Sequence, residues 1–123
     1  MQAPEDTIRS FSALLSEGDL NALVDLYEPE AAFVPRPGTI VNGHDEIRES
    51  LRPFLAMQPR MSGVIERVVT AGDTALVANR WTLQGHGPDG EPVELAGVSA
   101  DVLRRRADGS WGIAVDDPWG GAA

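Results

Sequence analysis

The hydrophobic rhythm of the chain changes once, near residue 60. Before that point apolar residues recur every three or four positions. Ile8, Phe11, Leu14 and Leu15 share one face of a predicted helix that starts at the acidic Pro4-Glu5-Asp6 and stops at Gly18. Asp19 caps a shorter second helix carrying Leu20, Leu23, Val24 and Tyr27, which Pro29 closes. A short apolar strand, Ala31-Ala32-Phe33-Val34, is broken by Pro35 and Pro37. Gly43-His44-Asp45 opens a third helix with Ile47, Leu51, Phe54 and Leu55 on one face, its end weakened by Pro53. After residue 60 the pattern alternates with period two. Residues 61–70, 74–84, 93–106 and 110–117 read as strands, separated by Gly72-Asp73, Gly87-Pro88-Asp89-Gly90 and Asp108-Gly109. Helices first and an antiparallel meander afterwards predict an α+β fold with helices covering one sheet face. No repeat, linker or low-complexity segment interrupts the pattern, so residues 1–123 are expected to form a single domain.

Composition narrows the chemistry. The chain has no cysteine and no lysine; its ten cations are all arginine. Thiolate nucleophiles, Schiff bases and phosphate-loop lysines are therefore excluded. What remains for chemistry is carboxylates, two histidines, one tyrosine and hydroxyls. A net charge of −9 argues against nucleic acid and anionic membranes as partners. The sequence has neither a membrane-spanning apolar run nor signal-peptide features, which predicts a cytoplasmic location. Arg104-Arg105-Arg106 sits at a strand end and reads as a solvated hairpin tip. His44 opens a helix and His86 lies in a glycine-rich turn. Neither has a partner at metal-ligand spacing, so no metal and no cofactor are expected.

One acidic residue stands out. Asp101 lies among apolar neighbours in the long 93–106 strand, where it faces either solvent or the core. Facing the core, it needs a proton or partners, because an unpaired buried charge is very costly. Asp116 and Asp117 on the next strand offer a second carboxyl. Alternation on that strand favours Trp111, Ile113 and Val115 as the inner face, which carries Asp117 inward.

Three segments resemble the nuclear-transport-factor-like superfamily, which contains ketosteroid isomerase and the SnoaL-like polyketide cyclases. They are residues 16–27 with Ala31-Ala32-Phe33, then Gly43-His44-Asp45-Glu46-Ile47-Arg48, then Asp101 to Trp111. The resemblance implies a cone-shaped barrel, three N-terminal helices packed on a curved antiparallel sheet, around a deep apolar pocket. It also implies pairing of two copies through the sheet as a homodimer. The ketosteroid isomerase set does not carry over: its helix-1 tyrosine position is Phe11 and its aspartate-base position is Pro35. Its neutral, hydrogen-bond-donating aspartate matches Asp101, the handling of that residue being a known pattern for a carboxylic acid in an apolar site. The carboxylate–arginine–carboxylate set of epoxide hydrolases on this fold is also incomplete, because Ser99 stands where the arginine belongs. The family register turns Asn79, Trp81, Ser99 and Asp101 inward, and on the last strand Ala114, Asp116 and Pro118. The two readings of that strand disagree on Asp116 and Asp117. The expected catalytic set is Asp101 with Asp116 or Asp117, and the expected ligand-lining set is Tyr27, Phe33, Asn79, Trp81, Ser99 and Trp119. The implied function is binding of a small, largely apolar organic molecule with cofactor-independent acid–base chemistry: isomerisation, cyclisation or dehydration. The alternative is a non-catalytic ligand-binding or dimerisation module of the same fold.

Overall fold

A computed structural model describes residues 2–120, which hold three helices and seven strands. Helix α1 (Pro4–Glu17) starts with proline at its first position, where no donor is lost, and Asp6 accepts the free Ala3 N–H at 3.1 Å. It ends at Gly18, whose positive φ no branched residue would accept cheaply. Helix α2 (Leu20–Asp25) is capped by the Asp19 carboxylate on Ala22 N–H. Helix α3 (Gly43–Ala56) runs past Pro53 for three more residues.

The strands are β1 (Tyr27–Arg36), β2 (Thr39–Asn42), β3 (Arg60–Ala71), β4 (Thr74–His86), β5 (Pro92–Val98), β6 (Ala100–Arg105) and β7 (Trp111–Asp117). They form one sheet in the order β2-β1-β7-β6-β4-β3, with β5 also on β4. The pairings are antiparallel except β1 with β7. The architecture is the expected α+β cone, its curved sheet left open. Helix α3 lies on β1 and α1 on β3, and their apolar faces meet the sheet around Leu15, Leu23, Tyr27, Ile47, Leu51, Val77 and Leu103.

Four local expectations change. Tyr27 begins β1 instead of ending α2: the helix is capped at Leu26, and Pro29 disfavours helical backbone at Glu28 just beyond. The strand expected at 31–34 extends to Arg36, and its pairing with β2 is irregular between Phe33 and Arg36, where Pro35 offers no N–H. Strand β2, which the alternation argument passed over, follows the turn at Pro37-Gly38. The expected 93–106 strand divides at Ser99. Its first half pairs with the far end of β4 and its second half with the near end. Ser99 fills the gap itself: its N–H donates to Asn79 O at 2.8 Å, and its hydroxyl accepts from Asn79 N–H at 3.2 Å.

The outer sheet face is apolar in register. Val69, Leu76, Val102 and Val115 lie opposite one another across four strands, and Val64 and Val98 flank Arg80. Val64, Val69, Leu76, Val98 and Val115 are all exposed. Among the described residues no helix is long and apolar enough to cross a membrane.

Candidate functional site

The candidate site draws Tyr27 from β1, Asn79 from β4, Asp101 from β6 and Asp116 from β7. Asp101 on β6 is directly opposite Asp116 on β7. Both are buried, at 3% and 7% exposure. Asp116 faces inward because β7 carries a bulge: Val102 pairs with Val115 and Leu103 with Ile113, leaving Ala114 as the extra residue. Before the bulge Trp111 and Ile113 point in, as alternation predicts. After it the phase shifts, Val115 is exposed and Asp116 points in. Each reading of this strand holds for one half of it. The Asp117 alternative is corrected: its carboxylate accepts from Trp119 N–H at 3.1 Å and shapes the turn.

Two like charges facing each other across a ladder repel, so one proton must be shared. Asp101 holds it. Burial first, then the Asp116 charge and a carboxyl–carboxyl contact, push Asp101 well above the ordinary carboxylate range, against the lowering bonds from Ser99 and the Asp117 backbone. Burial, with the Asp117 charge, also raises Asp116, and bonds from Asp101 and Tyr27 offset that only in part. Among the described groups Asp101 Oδ1 has no donor. A proton on that carboxyl, directed at Asp116, resolves the shortage. Ser99 Oγ donates to Asp101 Oδ2 at 2.8 Å. The Tyr27 hydroxyl donates to Asp116 Oδ2. Burial, then the Asp116 charge, raise the Tyr27 phenol well above its usual value, so it stays a donor.

Tyr27 is itself anchored by residues that sequence reasoning assigned elsewhere. Its carbonyl accepts from Arg106 Nη2 at 3.2 Å, and His44 Nε2 lies 2.9 Å from the same oxygen, which fixes the Nε2–H tautomer. Arg106 also donates to Asp25 O at 3.0 Å and pairs with Glu28 at 2.9 Å. Arg106 is therefore not the solvated hairpin-tip residue expected, and His44, expected only to open a helix, holds the Tyr27 carbonyl. No local pattern could reveal this, since the contacts join residues far apart in sequence.

An inner chamber of about 30 Å³ lies over this floor, lined by Asn79, Ser99, Asp101 and Asp116 with Ile8, Phe11 and Trp81. An outer chamber of about 40 Å³ sits above it, lined by Phe11, Phe33, Leu51, Phe54, Trp81 and Trp119. Phe11, Met61, Trp81 and Pro118 border both. Pro35, Phe54 and Trp119 continue the outer chamber into a surface groove of about 470 Å³. Each chamber has room for about one or two waters, so an organic ligand requires side chains at the border to move. Trp81 donates to Pro118 O at 2.7 Å and Trp119 to Val34 O at 3.0 Å, and the two indoles meet edge to face at 5.4 Å. Asn79 is 4% exposed, and its Oδ1 accepts no bond among the described groups. Gly63 makes room for that amide, since a Cβ there would lie 2.5 Å from Oδ1. Among the described residues no cluster of three or more acidic, histidine or cysteine side chains could hold a metal ion.

A family model described as a SnoaL-like domain matches residues 8–111. No curated protein matches the sequence. A ketosteroid isomerase-like protein from Erwinia carotovora atroseptica superimposes with a TM-score of 0.81 at 21% identity, covering 92% of this chain and 89% of that one. A candidate scytalone dehydratase from Novosphingobium aromaticivorans gives 0.81 at 15%, covering 91% and 77%. The epoxide hydrolase/cyclase-like enzyme SalBIII gives 0.68 at 16%, covering 92% and 86%. At these identities the likeness is one of fold.

Proposed function

Because the chain belongs to the SnoaL-like domain family, we propose that it binds a small, largely apolar organic molecule and performs cofactor-independent acid–base chemistry on it. One observation carries this reading: two directly opposed, buried carboxyls that line the inner chamber. Asp116, the ionised member, is the base. Asp101 holds the proton and is the acid, and Tyr27 and Ser99 fix the pair from either side. A base and an acid on neighbouring strands suit isomerisation, cyclisation or dehydration, in which one proton leaves the substrate as another is delivered. Trp81, Trp119 and Phe33 line the route and hold the apolar body. The names of the structural neighbours, an isomerase-like protein, a dehydratase candidate and a cyclase-like enzyme, are consistent with that group of reactions.

The test is a screen of neutral cyclic alcohols, ketones and enols for binding and for conversion by mass spectrometry. With a hit, Asp116→Asn is expected to lower turnover at least 100-fold with binding within about threefold, as for a lost base. Asp101→Asn keeps a donor and part of the rate, while Asp101→Ala loses more. Unchanged turnover in Asp116→Asn removes the acid–base reading. A second reading, a non-catalytic binding or dimerisation module, draws on the small chambers and on Phe11 and Pro35 standing where the isomerase keeps catalytic groups. We also propose that two copies pair through the apolar outer sheet face.

A further inference from the structure

We infer that the inner chamber has a second way in: a water port between α1 and β3, guarded by Asn79 and separate from the apolar mouth at Phe54 and Trp119. The port rests on the pocket proposed above and gives that pocket a second occupant, water, delivered from the side.

On β3 Met61, Gly63 and Ile65 stand opposite the buried Leu83, Trp81 and Asn79, so all three positions face inward. Met61 and Ile65 pack apolar side chains against the core, and Gly63 puts none between them. The Asn79 amide lies over that gap: a Cβ on Gly63 would be 2.5 Å from Oδ1 and 2.9 Å from Nδ2. Against the gap sits a recess of about 110 Å³, walled by Ile8, Arg9 and Ser12 from α1 and by Gly63, Ile65 and Asn79. Ile8 and Asn79 also line the inner chamber, so they are the partition between the recess and the acid pair.

Asn79 is 4% exposed, yet neither end of its amide is spent. Among the described groups Oδ1 has no donor and the NH2 no acceptor, and Nδ2 stays within reach of water. A molecule that donates to Oδ1 and accepts from Nδ2 satisfies both ends, and water is the smallest that does. The recess has room for a few waters, with Arg9 and Ser12 to hold them. The mouth offers them nothing. Every residue lining the outer chamber is apolar, and its two indole N–H groups are spent on Pro118 O and Val34 O. With a ligand's body in that mouth, a water that the reaction consumes or releases still has the side route.

The chain has no cysteine, so Ser99→Cys sets a single thiol in the inner chamber, behind Asn79. Two reagents probe that thiol in the full chain, followed by mass spectrometry: hydrogen peroxide, close to water in size, and 4,4′-dithiodipyridine, with flat apolar rings. Ser12→Trp plugs the recess and Phe54→Trp plugs the mouth. The thiol and its neighbours are the same throughout, so a change in rate reports access and not acidity. Ser12→Trp should slow peroxide about fivefold or more and leave dithiodipyridine within about twofold, and Phe54→Trp should do the reverse. Where a variant fails to fold, Arg9→Phe is the second plug and Asn79→Cys the second reporter. Peroxide that ignores the side plug, or a thiol that only dithiodipyridine reaches, overturns the port and leaves the pocket standing. A thiol that peroxide reaches from the side and dithiodipyridine never reaches supports the port and overturns the mouth as the ligand's entrance. Silence from both reagents overturns both.

Discussion

Asp101 makes its environment measurable through stability. Its folded-state pKa lies well above the ordinary 3.8, with burial the first cause. For a group shifted in that direction, its stabilising contribution is complete below the unfolded value and is lost as pH rises through the folded one. Asp101→Asn cannot titrate and escapes that loss. It should therefore melt about 2–8 °C above the wild type at neutral pH, with the gap closing as pH falls toward about 4. Calorimetry across that range checks it, and a gap independent of pH would mean that Asp101 ionises as an ordinary surface aspartate. Much of this site was visible at the residue scale, because a lone carboxylate in an apolar strand has few affordable fates. Tyr27 was visible too, but in the wrong element. The Asn79 shortage was not, since an unmet hydrogen bond exists only between groups that folding brings together.

At the scale of elements, period-two alternation located β3, β4 and β7, and the glycine and aspartate caps located the helices. Proline was read as closing α2 and breaking the first strand, yet β1 carries Pro29 and Pro35 where its pairing is irregular, while α3 runs past Pro53 to include Phe54 and Leu55, as expected. The division of 93–106 at Ser99 was hidden because hydroxyl and backbone exchange partners there without any change in hydrophobic pattern. The corner between α2 and β1 yields a second prediction. Arg106 joins Asp25 O, Tyr27 O and Glu28, and Gly112 leaves the space, since a Cβ there would lie 2.7 Å from Arg106 Nε. Arg106→Ala should cost about 1–3 kcal/mol in chemical denaturation. Arg106→Lys should recover only part, because an ammonium restores the charge but not the fork that reaches three oxygens. Equal stability of Arg106→Ala and wild type would return this arginine to the solvent.

For the whole molecule, the apolar outer sheet face is where we propose that two copies pair. A row of Val69, Leu76, Val102 and Val115 across four strands gives a two-fold partner a continuous apolar surface. Light scattering at tens of micromolar should give twice the chain mass, and Leu76→Glu should give the single mass with its helical spectrum intact. A wild-type monomer would remove the pairing. The net charge of −9 adds that salt should favour association by screening the repulsion between two acidic copies.

The extra residue at Ala114 bears on how this strand can change length. Removing it leaves strict alternation with Trp111, Ile113 and Asp116 still on the inner side, so a one-codon deletion keeps Asp116 opposite Asp101. Straightening the strand with Ala114 kept has a different result: Asp116 rotates out and Asp117 rotates in. Continued without the bulge from the Leu103–Ile113 pair, the ladder would set Val115 opposite Asp101 and carry Asp117 on to Ser99. With Ala114 in the chain, the bulge is therefore what brings a carboxylate opposite Asp101.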